Sequence, residues 1–122
     1  MASDPRPIYI QIAAGIADQI AAGLLGPGDK VPSTNELSAF HSVNPNTAAR
    51  ALNQLAEDGL VEKRRGIGMF VLPTARDTVL KQRRTTLAAD FIRPLLNEAA
   101  ALGLSPEELS MLIDEERHRE QS

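Results

Sequence analysis

The chain has 122 residues, no cysteine, 43% hydrophobic residues and a formal net charge of −3. That length fits one globular domain with a modest appendage, and the missing thiols exclude disulfides, cysteine nucleophiles and thiolate metal sites. No long apolar run and no basic-then-apolar leader appears, which points to a soluble cytoplasmic protein without a membrane span.

The first predicted helix runs from about Pro7 to Ala22, with Ile8, Ile12, Ile16 and Ile20 stepping along one side. Leu24 and Leu25 lead into the turn signal Gly26-Pro27-Gly28-Asp29. Val31 is expected as a short strand residue beside a hairpin further on. Ser33 or Thr34 caps a second helix, with Glu36 placed for a capping box and Leu37 and Phe40 facing inward. His41 and Ser42 form a tight turn into the third helix, Asn44 to Asp58. There Asn44 caps the first turn and Pro45 occupies the first helical position.

In that third helix Ala48, Leu52 and Leu55 recur at helical spacing and make one side apolar. The other side carries Asn46, Thr47, Arg50 and Asn53, short or forked hydrogen-bonding groups in place of an ordinary Glu/Lys surface. Gly59 stops the helix, and Val61 to Val71 reads as two short strands around Arg65-Gly66-Ile67-Gly68. A helix with a polar reading face, followed by a hairpin tipped with Lys63, Arg64, Arg65 and glycine, is what a winged helix-turn-helix needs to grip DNA. The fold class expected is therefore mostly α with a small β-wing.

After Pro73 the composition changes. Residues 75–102 read as helical, with a stripe of Leu80, Leu87, Phe91, Leu95 and Leu102. Pro94 should kink or locally break that helix, because it lacks an amide hydrogen and clashes with the preceding turn. Gly103 ends it, Ser105-Pro106-Glu107-Glu108 starts another, and Leu109, Leu112 and Ile113 give a last apolar face. Two helices cannot close a core alone, so their stripes must pack on the first domain, on a second copy, or on both. The division expected is residues 1–73 for DNA binding and 74–122 for a helical dimerisation region.

The net charge argues against a simple nucleic-acid assignment, since basic domains are the usual footprint. Division at Ala75 leaves six Lys/Arg against seven Asp/Glu before it and seven against nine after it. Any DNA-binding field is therefore local, centred on Lys63, Arg64, Arg65 and Arg50. Tyr9 is read as a core-edge residue. His41 and His118 have no ligand-spaced partner, so neither a metal nor a cofactor is expected.

The series PIYIQIAAGIADQIAAGLLGPGDKVPSTNELSAF, then Asn44-Pro45-Asn46-Thr47, Arg50-Ala51, Gly59-Leu60-Val61 and Gly66-Ile67-Gly68-Met69-Phe70-Val71, resembles the GntR family of bacterial transcription regulators. The two-helix tail is similar to its YtrA-like branch, where such a tail implies dimerisation. Many relatives carry Arg at the positions of Asn35 and Ala49, which shifts weight here to Asn46, Thr47, Arg50 and the wing.

The resemblance and the residues together place the third helix in the major groove. Its first amides and the Ser33 or Thr34 hydroxyls would hold phosphates, while Asn46 or Asn53 meets adenine and Arg50 meets guanine or a phosphate. Lys63, Arg64 and Arg65 would lie against the backbone or minor groove. Gly66 either lets the wing tip approach closely or is, with Gly68, a turn residue only. A homodimer on a near-palindromic operator, acting mainly by blocking transcription, is the expected function. The tail is too short for the enclosed effector pocket of larger relatives, though a small-molecule effector could bind between the tail and the DNA-binding domain or across a dimer interface. The competing reading is a winged-helix scaffold for another protein. An enzyme is weaker still, for want of a nucleophile motif, clustered histidines or a phosphate loop.

Overall fold

The structure is a computed structural model that describes residues 4–121. In chain order it contains helices α1 (Ile8–Ala21), α2 (Thr34–His41) and α3 (Pro45–Glu57), and strands β1 (Val61–Arg64) and β2 (Gly68–Val71). Helix α4 (Ala75–Leu87), a π-helical turn (Ala88–Ile92), α5 (Arg93–Ala101) and α6 (Pro106–Gln121) follow. The chain divides into two compact units, one ending at Gln82 and the other starting at Arg83, so α4 begins in the first and ends in the second. The mostly helical fold with a two-stranded wing expected from the sequence is the one observed.

In α1 the buried side is Ile12, Ala13, Ile16 and Ile20, with Tyr9 and Ala17 partly covered. Ile8 is 51% exposed and does not join it. A four-residue step advances about 400° around a helix, so the Ile8 stripe drifts by about 40° per step and ends about 120° away at Ile20. Tyr9, not Ile8, continues the inward face.

Helix α2 starts with the expected capping box. The Glu36 amide donates to Ser33 Oγ at 3.1 Å, and the Ser33 amide donates to the Glu36 carboxylate at 3.1 Å. Leu37 is buried, but Phe40 is 84% exposed, contrary to the expectation that it faces inward. The inner side of this short helix is set by Thr34, Leu37 and Ser38, and Phe40 lies about 200° round from Ser38. Its ring instead meets His41 edge-on, with centroids 4.9 Å apart. Ser42 closes α2 in the left-handed conformation, at φ 53°.

Helix α3 is entered as expected: Asn44 Oδ1 accepts from the Asn46 amide at 2.8 Å and Pro45 stands in the first turn. Ala48 and Ala51 are fully buried beside Leu52 and Leu55, and α3 packs on both α1 and α2. Gly59, at φ 76°, reverses the chain, and the Leu60 amide bonds back to the Leu55 carbonyl at 3.0 Å.

Strands β1 and β2 pair antiparallel, with Val61 opposite Val71 and Arg64 opposite Gly68. The expected strand residue Val31 does lie beside this hairpin. Its amide donates to the Met69 carbonyl at 2.9 Å, and the Val71 amide donates to the Asp29 carbonyl at 2.9 Å. The wing thereby gains a short third segment, bridged at Lys30 and Phe70.

Ala75 and Val79 at the start of α4 complete the core of the first unit, and Arg76 Nε donates to the Ala21 carbonyl at 3.1 Å. Ile20, Val31, Leu55, Leu60 and Val79 are its largest fully enclosed side chains, each worth about 1.5–3 kcal/mol of apolar burial.

In the second unit the break expected at Pro94 takes the form of the π turn. An α-helical Pro94 would have to donate an amide hydrogen to Asp90, which proline lacks. The Arg93 amide instead reaches back five residues to the Ala88 carbonyl, widening the turn without interrupting the helix. Helix α6 opens with a second capping box, Ser105 with Glu108, at 2.9 and 3.1 Å. No helix among the described residues is long and apolar enough to cross a membrane.

Candidate nucleic-acid interface

Three segments of the first unit converge on one open groove of about 510 Å³. The run from Lys30 to Asn35 contributes one wall, with Ser33 fixed by its cap and Thr34 and Asn35 in the first turn of α2. Ala49, Leu52 and Asn53 of α3 form a second wall, and Lys63, Arg64, Gly66, Ile67, Gly68 and Met69 of the wing a third. Seven residues singled out from the sequence are brought together here: Ser33, Thr34, Asn35, Asn53, Lys63, Arg64 and Gly66.

The remaining ones stand outside the groove lining. Asn46 and Arg50 are exposed on α3 and lie within about 60° of Asn53 on the helix circumference. Thr47 is half-buried and about 100° from Asn46. The Asn44 side-chain oxygen is already taken by the Asn46 amide. Arg65 is exposed at the wing tip, where Gly66 turns the chain at φ 76°. The polar, solvent-facing part of α3 thus adjoins the groove.

The cations are unequally held. The Arg64 guanidinium lies 4.3 Å from the centroid of the Phe70 ring and 3.3 Å from the Glu62 carboxylate. That bracket partly neutralises it, while fixing the fork in place. Among the described residues Lys63 and Arg65 have no ion-pair partner. Arg6 is bound to Asp4 at 2.6 Å, a contact that lowers the Asp4 carboxyl to about 2. Glu36 is also held below the ordinary glutamate value, first by the hydrogen bond from the Ser33 amide.

Two participants were not found by sequence reasoning. Lys30 lines the groove and lays its aliphatic chain over Gly68, so close that a Cβ there would stand 2.7 Å from Lys30 Cε. Only its place between a glycine turn and a helix cap could have marked it. Tyr9, read as a core-edge residue and indeed packed against the core, also carries the Arg50 guanidinium 4.0 Å from its ring centroid.

Charge is also divided between the units. Eight Lys/Arg balance eight Asp/Glu up to Gln82, whereas five stand against eight from Arg83 onward. The whole net charge of −3 therefore belongs to the second unit, and the first is neutral overall. Neutrality explains how an acidic chain can carry a locally cationic groove.

Residues 8–71 match the family described as bacterial regulatory proteins, gntR family. The HTH-type transcriptional repressor YtrA of Bacillus subtilis is 34% identical over 92% of this chain and 88% of its own length. A GntR family transcriptional regulator from Listeria monocytogenes superposes with a TM-score of 0.76 at 28% identity, covering 93% of this chain and 98% of that one. The DNA-binding domain of AraR, solved in complex with an operator, matches at 30% identity over 58% of this chain and 92% of its own, with a TM-score of 0.53. The regulators of this family are not enzymes. Winged fold, converging groove and family match agree, and the chain belongs to the gntR family as a DNA-binding transcription regulator.

Proposed function

We propose that the protein binds a near-palindromic operator as a homodimer and represses transcription from it. The observation that carries this reading is the groove between α2, α3 and the wing, which gathers Asn35, Asn53, Lys30, Lys63 and Arg64 beside the exposed Asn46 and Arg50. In the proposed complex α3 enters the major groove. Asn46 or Asn53 reads adenine, Arg50 reads guanine or holds a phosphate, and Ser33 and Thr34 hold phosphates. Each good base contact contributes roughly 1–3 kcal/mol of discrimination. Lys63, Arg64 and Arg65 lie along the backbone, so affinity falls steeply with salt.

One recognition helix buries little surface, and a second copy on an adjoining half-site supplies the remainder. The second unit has the surface for that pairing. Leu95, Leu102, Leu109, Leu112 and Ile113 line one trough of about 420 Å³ between α5 and α6, and Leu87 and Phe91 are 51% and 65% exposed. Leu80, expected from the sequence to take part in pairing, is 39% exposed near the end of the first unit. The similarity to a protein named as a repressor supports the sign of regulation.

Small-molecule control is included in the proposal. An apolar hollow of about 650 Å³ opens between α1 and α2, within the size range of ligand pockets.

Selection from random duplex DNA, followed by titration of the winner and a scrambled control across salt, tests the operator reading. A two-fold symmetric winner, bound well above tenfold tighter than the scramble, is expected. Failure to enrich any sequence would overturn it. Sedimentation of the full chain and of a chain ending at Gln82 tests the pairing, since that end point keeps Val79 in its core. The full chain should be a dimer and the shortened one a monomer. Repression is checked by a reporter driven through the selected site, and effector control by a metabolite that shifts operator affinity.

A further inference from the structure

The recognition helix of this protein does not hold its only arginine by itself. Arg50 is exposed on α3, and an unsupported side chain of that length would spread over many rotamers in water. Its guanidinium instead lies 4.0 Å from the ring centroid of Tyr9, in the first turn of α1. At that distance over a ring face the quadrupole attracts the cation. The arginine keeps its charge and its donors, since stacking uses only the face of the planar group.

The ring that supports it is fixed. Tyr9 is half-buried and packs against the core made by α1, α3 and the wing, next to Ile12 and Ala13 on the inward face of α1. Among the described residues no carboxylate pairs with Arg50, in contrast to Arg64, which shares its position between Phe70 and Glu62. The aromatic platform therefore orders the side chain without cancelling the charge that DNA would meet.

We infer that Tyr9 is a positioning residue for DNA recognition, holding the Arg50 guanidinium in place for its contact with the duplex. The inference rests on Arg50 being a DNA contact, as proposed above. It assigns a recognition role to the first helix, which sequence reasoning gave to the core alone. The stacked arginine has lost part of its rotamer freedom before binding, so less is lost when DNA is engaged.

The test is a double-mutant cycle on the full chain, titrating a duplex selected from random DNA by the wild-type protein. Tyr9→Phe retains the ring face and should bind within about twofold of wild type. Tyr9→Leu should weaken binding about two- to fivefold, the fold-change that an exposed cation–π contact supports. In the Arg50→Ala background the same Tyr9→Leu change should have no further effect. Thermal melting and circular dichroism of each variant report whether it folds. A loss from Tyr9→Leu that is equal in both backgrounds would mean a packing role only, and would overturn the inference. A clear loss from Arg50→Ala with none from Tyr9→Leu would overturn it too, leaving Arg50 as a DNA contact. No loss from Arg50→Ala would remove the underlying reading and the inference together.

Discussion

Gly68 shows how closely single residues of the wing are specified. Its φ of 138° lies where side chains rarely sit, and the Lys30 chain occupies the space a Cβ would need. Gly68→Ala should therefore cost about 1–3 kcal/mol of stability from backbone strain, read as a lowered melting temperature, and should weaken DNA binding through a displaced wing tip. A variant that melts and binds like wild type would show that Lys30 and the backbone both yield. The sequence offered Gly66 and Gly68 as wing-tip or turn residues; Gly66 turns the chain at φ 76°, whereas Gly68 opens β2 opposite Arg64. The sequence could not pair Lys30 with Gly68, or Tyr9 with Arg50. Those contacts join positions 38 and 41 residues apart, and periodicity tells which way a side chain faces without telling what it meets. Ile8 and Phe40 went astray for a related reason: hydrophobic character was read as inward, whereas helical phase places both outside.

At the scale of elements, starts and stops were legible because capping is short-range chemistry. The capping box of Ser33 with Glu36 formed where the spacing predicted, and the helix start expected at Ser105-Pro106-Glu107-Glu108 takes the same form, Ser105 with Glu108. Both boxes also make stability respond to acid. Glu36 and Glu108 are held below the ordinary value of 4.5 in the folded chain by bonds from their serine amides. A depressed folded value means the caps contribute fully above 4.5 and lose that contribution as pH falls below it. Melting followed against pH should therefore decline in acid, and Glu36→Gln, which retains an acceptor but cannot titrate, should decline less. Ser33→Ala removes the other half of the box and should cost about 1 kcal/mol at neutral pH. An unchanged acid profile in Glu36→Gln would show that this cap does not govern it. The π turn was less legible. Pro94 announced a disturbance, but the choice between a kink and a widened turn depends on whether the Arg93 amide can reach Ala88, which no local pattern encodes.

For the molecule as a whole, the second unit presents Leu95 and Leu102 at 42% and 65% exposure. Replacing both by Glu should leave the helical content unchanged, since neither is enclosed within the chain. It should shift sedimentation towards monomer and lower operator affinity by at least tenfold, because two half-sites would no longer be held together. A double variant that stays dimeric would move the pairing surface elsewhere. The confinement of the negative charge to that same unit reaches beyond pairing, into the kinetics of search. A duplex is expected to attract the cationic wing and to repel the acidic second unit. Random sequence offers only the small cationic patch to hold on to, so non-specific binding should weaken steeply as salt rises. Such a regulator is expected to leave wrong sites quickly and to find an operator through many brief landings, which the dissociation rate from random duplex would check.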